Sequence, residues 1–211
     1  MPRPNYHANP IAPKFTPEAW ISPWNSDMAV MSNCYQYAIA GSKEDGLNQV
    51  YDEATPNPGE VKGILTNNWY IPSALRELVQ MDGLELATQD YPAHGKVAPL
   101  PPQKPGHYIV GMYVKDIPPS EQYPEGEQDY HFIRQDSDGG WSHKLGKDPH
   151  DKVTRYIEPS SDAIYLPLPI KFSGYSFAGY AYVPQEGIDG GPERILVQGI
   201  VASRIQNPTS C

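Results

Sequence analysis

Cysteine is nearly absent from this sequence: Cys34 and Cys211 are the only two in 211 residues. That excludes a disulfide-rich scaffold and any zinc site assembled from cysteine pairs. Long apolar runs are missing too, and nothing approaches the roughly 20 residues that a membrane-spanning helix needs. The first twenty residues, MPRPNYHANPIAPKFTPEAW, lack the apolar core of a signal peptide. The expected protein is soluble, cytoplasmic or exported without a cleavable signal. Positive charge is the third shortage, with 16 Lys and Arg against 25 Asp and Glu and a formal net charge of −9. No basic cluster interrupts that balance, so neither nucleic acid nor an anionic membrane is an expected partner.

Proline and glycine are plentiful instead. The 24 prolines and 18 glycines amount to about a fifth of the chain, against a usual share of roughly 12%. They are scattered without a period among apolar runs, which predicts many loops and short strands. At 39% hydrophobic residues the chain can bury a core as one domain. Residues 1–30 read as an extended proline-rich arm anchored by Trp20 and Trp24. Residues 31–211 form the domain proper.

Within that domain, NNWYIPSALRELVQMDG predicts a helix that starts at Pro72 or Ser73 and stops at Gly83, with Leu75, Leu78 and Val79 on its apolar face. The run 91–106, ending in PLPPQKPG, reads as a loop, and PPSEQYPEGEQ as an exposed one. Strands are predicted at 108–114, 130–136, 140–145 and 163–166, and across YSFAGYAYVP. The segment RILVQGIVASRI is a further strand or a helix.

Two short segments carry the chemistry. In NCYQYAIAG, Asn33 is a favoured N-cap, Gln36 stands three residues on as in a capping box, and Gly41 can stop the helix. Cys34 falls at the first helical position, where helix-end N–H groups favour a thiolate and could hold an oxyanion. In DYHFIRQDSDGGWSHKLG, Asp136-Ser137-Asp138-Gly139 has the composition of a type I turn with Gly139 left-handed. The resulting three-residue loop sets Asp136 opposite Gly140 and Ile133 opposite His143, so His131 and His143 share a face. A two-residue loop would send His143 to the other side.

At these residues the chain resembles the NlpC/P60 branch of the papain-like cysteine peptidases. In that family a catalytic cysteine opens a helix and the base is a histidine on a strand. A second histidine or another polar residue follows about a dozen positions later. Here NCYQ stands for the first motif, HFIRQDSDGGWSH for the second, and KPGHYIVGMYV, residues 104–114, for the turn and strand that precede it. Asn33 and Tyr35 depart from the acidic and small neighbours usual beside the cysteine, and the interval from Cys34 to His131 is long for the family, which implies an insertion at about 45–103. The phrases also resemble an uncharacterised group of bacterial proteins.

The resemblance implies an α+β, papain-like fold, its catalytic helix packed on a central antiparallel sheet. It also implies acyl transfer. Cys34 would attack a carbonyl, His131 would act as base and then acid, and His143 would orient His131, with Gln135 or Ser142 as alternates for that third role. Asn33 is the candidate oxyanion or substrate-positioning residue. The expected activity is a cysteine hydrolase acting on a peptide or protein substrate, as an effector or toxin with an inhibitor or immunity protein. Acyltransferase, transglutaminase-like or deamidase chemistry at the same dyad is the alternative.

Each residue also has a plainer role. Cys34 among Tyr35, Tyr37 and Ala38 can be core, and a Cys34–Cys211 bridge would silence the nucleophile. His131, His143 and His150 with Asp136, Asp138 or Asp148 could bind a metal, but no H-x-H, HExxH or CxxC spacing is present, so neither metal nor cofactor is expected. The competing class is a non-catalytic protein-binding module that uses the aromatics of Tyr175 to Tyr182 and the proline-rich arm.

Overall fold

Short runs rich in aromatic and β-branched residues build the sheet at the centre of the molecule. A computed structural model describes residues 9–17, 33–41, 56–64, 66–87, 100–121, 123–145, 153–157 and 174–188. Within them six strands form one sheet: β1 Glu85–Leu86, β2 His107–Ile117, β3 Glu127–Gln135, β4 Trp141–Lys144, β5 Val153–Ile157 and β6 Tyr175–Pro184. The order across the sheet is β1-β6-β2-β3-β4-β5, with every neighbouring pair antiparallel. Two helices, α1 Cys34–Ile39 and α2 Pro72–Met81, complete an α+β architecture.

Both sheet faces are buried along much of β2, β3 and β6, and β2 and β6 accordingly read as nearly continuous apolar runs. Tyr108, Val110, Met112 and Val114 of β2, Tyr130 and Phe132 of β3, and Ala178, Ala181 and Val183 of β6 form a core with residues of α1 and α2. We call this side the helix face. Ile109 and Tyr113, Ile133, Trp141, Tyr180 and Tyr182 pack together as a second cluster on the opposite side.

All six residues of α1 are buried, so the helix has no polar face. Asn33 caps it, its Oδ1 accepting from the Gln36 N–H at 2.8 Å. The reciprocal arm of a capping box is not made, because Gln36 Oε1 has no partner. α2 begins with Pro72 at its first turn and buries Leu75, Leu78 and Val79, each worth roughly 1.5–3 kcal/mol when fully removed from water. Both helices start and stop where the sequence predicts.

The end of α1 meets the exit of β6 at a contact only glycine permits. Gly41 has φ +70°, and a Cβ there would lie 2.3 Å from the Gly187 nitrogen and 2.4 Å from the Glu186 carbonyl carbon. Tyr108 fastens the same corner, its hydroxyl donating to Ala38 O at 2.8 Å and accepting from Gly41 N at 3.0 Å. Gly41→Ala is expected to cost more than about 2 kcal/mol, from left-handed strain plus backbone displacement. An unchanged urea midpoint would contradict this packing.

The β3–β4 hairpin has the bulged register expected of its turn. Arg134 pairs with Ser142 and Gln135 with Trp141. The Asp136 N–H donates to Gly140 O at 2.8 Å, the Gly139 N–H donates to Asp136 O at 2.9 Å, and Gly139 has φ +87°.

Part of the N-terminal segment lies along this hairpin. Ser137 N donates to Pro13 O, Arg134 Nη2 to Lys14 O, and Asn9 Nδ2 to Gln135 Oε1. Trp20, Trp24, the predicted strand 163–166 and the run RILVQGIVASRI lie outside the described residues.

Strand β5 was not foreseen, and Arg155 is the reason. It has the parity of Val153, pointing inward toward Asp136 rather than to solvent, so the run VTRYI shows no apolar alternation.

Candidate functional site

The two histidines come together as the hairpin register requires. His131 Nε2 and His143 Nδ1 are 2.8 Å apart, a hydrogen bond between two imidazoles, with the rings nearly perpendicular. Exposure is 2% for His131 and 5% for His143. Burial, and then the neighbouring His143, hold the His131 pKa well below the ordinary imidazole range. Tyr175 stands beside the pair, its ring centre 6.2 Å from that of His131, and donates a short hydrogen bond to Asp129. One imidazole fixing the ring of another is the arrangement of a base with its orienting partner.

Cys34 is not part of this group. Its side chain packs in the helix-face core with Tyr130 and Phe132. The sulfur lies 3.9 Å from the Tyr130 carbonyl oxygen and is fully buried. Tyr130 and Phe132 flank His131 in β3, so by strand parity the imidazole leaves the sheet on the opposite side. The six-stranded sheet therefore stands between the two members of the expected dyad.

Cys34 is also disulfide-bonded and presents no thiol. Cys211, the other cysteine of the chain, lies outside the described residues. The structure does not bring Cys34 and His131 together, and Cys34 is a half-cystine in the core.

Asn33 is occupied structurally as well. Besides capping α1, its Nδ2 donates to Pro56 O at 3.0 Å and to the Tyr130 hydroxyl at 3.1 Å, and Tyr130 in turn donates to Asn57 Oδ1 at 2.7 Å. These contacts tie the 56–60 loop to α1 and β3, and they leave the Asn33 amide no geometry for an oxyanion. α1 is only six residues long.

Of the alternates for the third role, Gln135 shares the His131 face and accepts from Asn9 Nδ2 at 3.2 Å. Ser142 points to the helix face, donating to Asp136 Oδ1 at 2.7 Å and bonded to the Tyr37 hydroxyl at 2.6 Å.

No protein family, curated protein or solved structure matches this chain.

The helix face also carries a buried ionic cluster. Arg134, 1% exposed, stacks 4.0 Å over the Tyr37 ring and donates from Nη2 to the Tyr37 hydroxyl at 2.8 Å and to Asp136 Oδ1 at 3.3 Å. Arg155 donates to Asp136 Oδ2 at 2.9 Å and to Asp138 from both terminal nitrogens, its guanidinium 3.9 Å from the centre of the Phe15 ring. Burial lifts the Asp136 carboxyl to about 6, opposed by Arg134, Ser142 and Arg155.

Asp136 read in the sequence as a turn residue and a metal candidate. Its actual partners are Arg134 of β3, Ser142 of β4 and Arg155 of β5, a convergence that no local signal announces. Among the described residues, no group of three His, Cys, Asp or Glu side chains is arranged to hold a metal ion.

A pH dependence follows from the imidazoles. The folded-state pKa of His131 is depressed, so its contribution to stability is fully present above the unfolded value of about 6.5 and is lost as the pH falls below it. His131→Gln removes this titration. The stability gap between wild type and the variant should close by about 1.4 kcal/mol per pH unit below 6.5. Urea unfolding of both proteins over that range checks the slope, and a gap independent of pH would contradict a neutral buried His131.

Proposed function

We propose that this chain is a non-catalytic protein-binding module in which Cys34 is a structural staple. The observation that supports this most is the position of the Cys34 sulfur: oxidised, fully buried, and on the sheet face opposite His131. A cysteine hydrolase needs its thiol and base within hydrogen-bond reach in an open cleft. The half-exposed aromatics Tyr175 and Phe177 on β6 and the exposed proline-rich segment before β2 suit contact with another protein.

The papain-like, NlpC/P60-type reading has one observation in its favour, the 2.8 Å contact between His131 and His143. In that reading the chain is a peptide or amide hydrolase, or an acyltransferase or deamidase.

Alkylation separates the two. Native protein without reductant is treated with iodoacetamide from mildly acidic to mildly alkaline pH, and Cys34 is followed by peptide mass spectrometry. The expected result is an unmodified Cys34, with His131→Ala making no difference. Alkylation below neutral pH that disappears in His131→Ala would overturn the binding-module reading in favour of the hydrolase.

A further inference from the structure

The segment Leu100–Gly106, LPPQKPG, combines exposed prolines with a fixed backbone. It opens β2 yet pairs with no strand. Proline fixes φ near −65° at 101, 102 and 105, and Leu100, Pro101 and Lys104 each precede a proline, which confines them to extended or polyproline II backbone. The His107 N–H donates to Lys104 O at 3.1 Å and Gly106 has φ +72°, a type II turn with Pro105 at its second position. That position is itself close to polyproline II geometry.

Exposure follows the threefold period of that helix. Pro101 is buried and Lys104 half-buried, whereas Pro102, Gln103 and Pro105 are exposed. One edge therefore faces the protein while Pro102 and Pro105, three apart, share an edge facing solvent.

The inner edge is firmly held. The Tyr182 hydroxyl donates to Pro102 O at 2.8 Å, and Lys104 is ion-paired with Glu85 and lies 5.8 Å over the Tyr182 ring. His107 Nδ1 is 2.9 Å from Pro105 O, Leu100 packs against the second core, and Gln185 N donates to Gly106 O. Ordering of the segment is thus complete before any partner arrives, which removes much of the entropic cost of binding.

We propose that Pro102-Gln103-Lys104-Pro105 is a preformed polyproline II segment that presents Pro102 and Pro105 to an aromatic-lined groove of a partner protein. This rests on the binding-module reading and names its surface. The P-x-x-P spacing puts two prolines on the grooves that such partners line with aromatic rings.

The test probes an array of purified SH3 and WW domains with the labelled full-length chain. Expected is saturable binding to at least one domain, weakened roughly tenfold or more by Pro102→Ala combined with Pro105→Ala. Thermal unfolding should confirm that the variant is folded. No bound domain, or binding indifferent to these substitutions, overturns the proposal. Alkylation of Cys34 in the same preparation keeps the two readings apart. An empty array with Cys34 unreactive removes only this ligand edge, whereas a reactive Cys34 removes the binding-module reading itself.

Discussion

Asp136→Ala should lower the free energy of unfolding by about 3–5 kcal/mol, the cost of removing one partner from a buried ion pair. The carboxylate is fully buried and accepts from Ser142, Arg134 and Arg155 at 2.7, 3.3 and 2.9 Å. Its loss leaves the guanidinium of Arg134 inside the protein with no counter-charge in reach, since Arg155 brings only more positive charge. Because burial lifts the folded-state carboxyl to about 6 from an ordinary 3.8, Asp136 takes up its proton in the folded protein first. Its contribution is therefore largest at low pH and falls as the pH rises through 6. The deficit of Asp136→Ala should widen as the pH is lowered from 6 towards 4. Urea unfolding at two pH values tests both statements, and a loss below about 1 kcal/mol at each would mean that the cluster is solvated rather than buried.

Cys34→Ala is the second large effect. If Cys34 were a nucleophile, alanine would abolish turnover and leave the fold intact. As a half-cystine in the core its removal should instead cost about 2–5 kcal/mol. Reducing the wild type should lower its stability by a similar amount, while the reductant should have no effect on Cys34→Ala. An equal effect of reductant on both proteins would show that the bond does not stabilise the fold. This result is independent of any assay for activity, so it judges the structural role of Cys34 on its own.

The hairpin and the dyad separated for a reason visible in single residues. Local turn chemistry dictates the hairpin: Asp136 and Gly139 select a three-residue loop, and the loop sets Ile133 opposite His143 and His131 beside it. The cap at Asn33 and the stop at Gly41 are equally local. The side of the sheet that receives α1 is not. A helix buried on every side shows no amphipathic stripe to aim it, and β3 is apolar on both faces, so either side was open to it in principle. One hint lay in the parity of Arg134, opposite in direction to His131. It became meaningful only once Tyr37 and Asp136 were seen to flank the guanidinium.

What residue order determined alone was whatever closes over a few positions: both helix boundaries, the bulged hairpin, and the juxtaposition of His131 and His143. Tertiary structure decided the rest. Long-range burial placed α1 against Tyr130, Phe132 and Met112, seated Arg155 inward so that β5 lost its alternation, and put Cys34 and His131 on opposite faces of one sheet. Turn and cap preferences act through backbone angles and hydrogen bonds spanning a handful of residues. The choice of face depends on apolar area contributed by segments far apart in sequence, and no short window contains that sum.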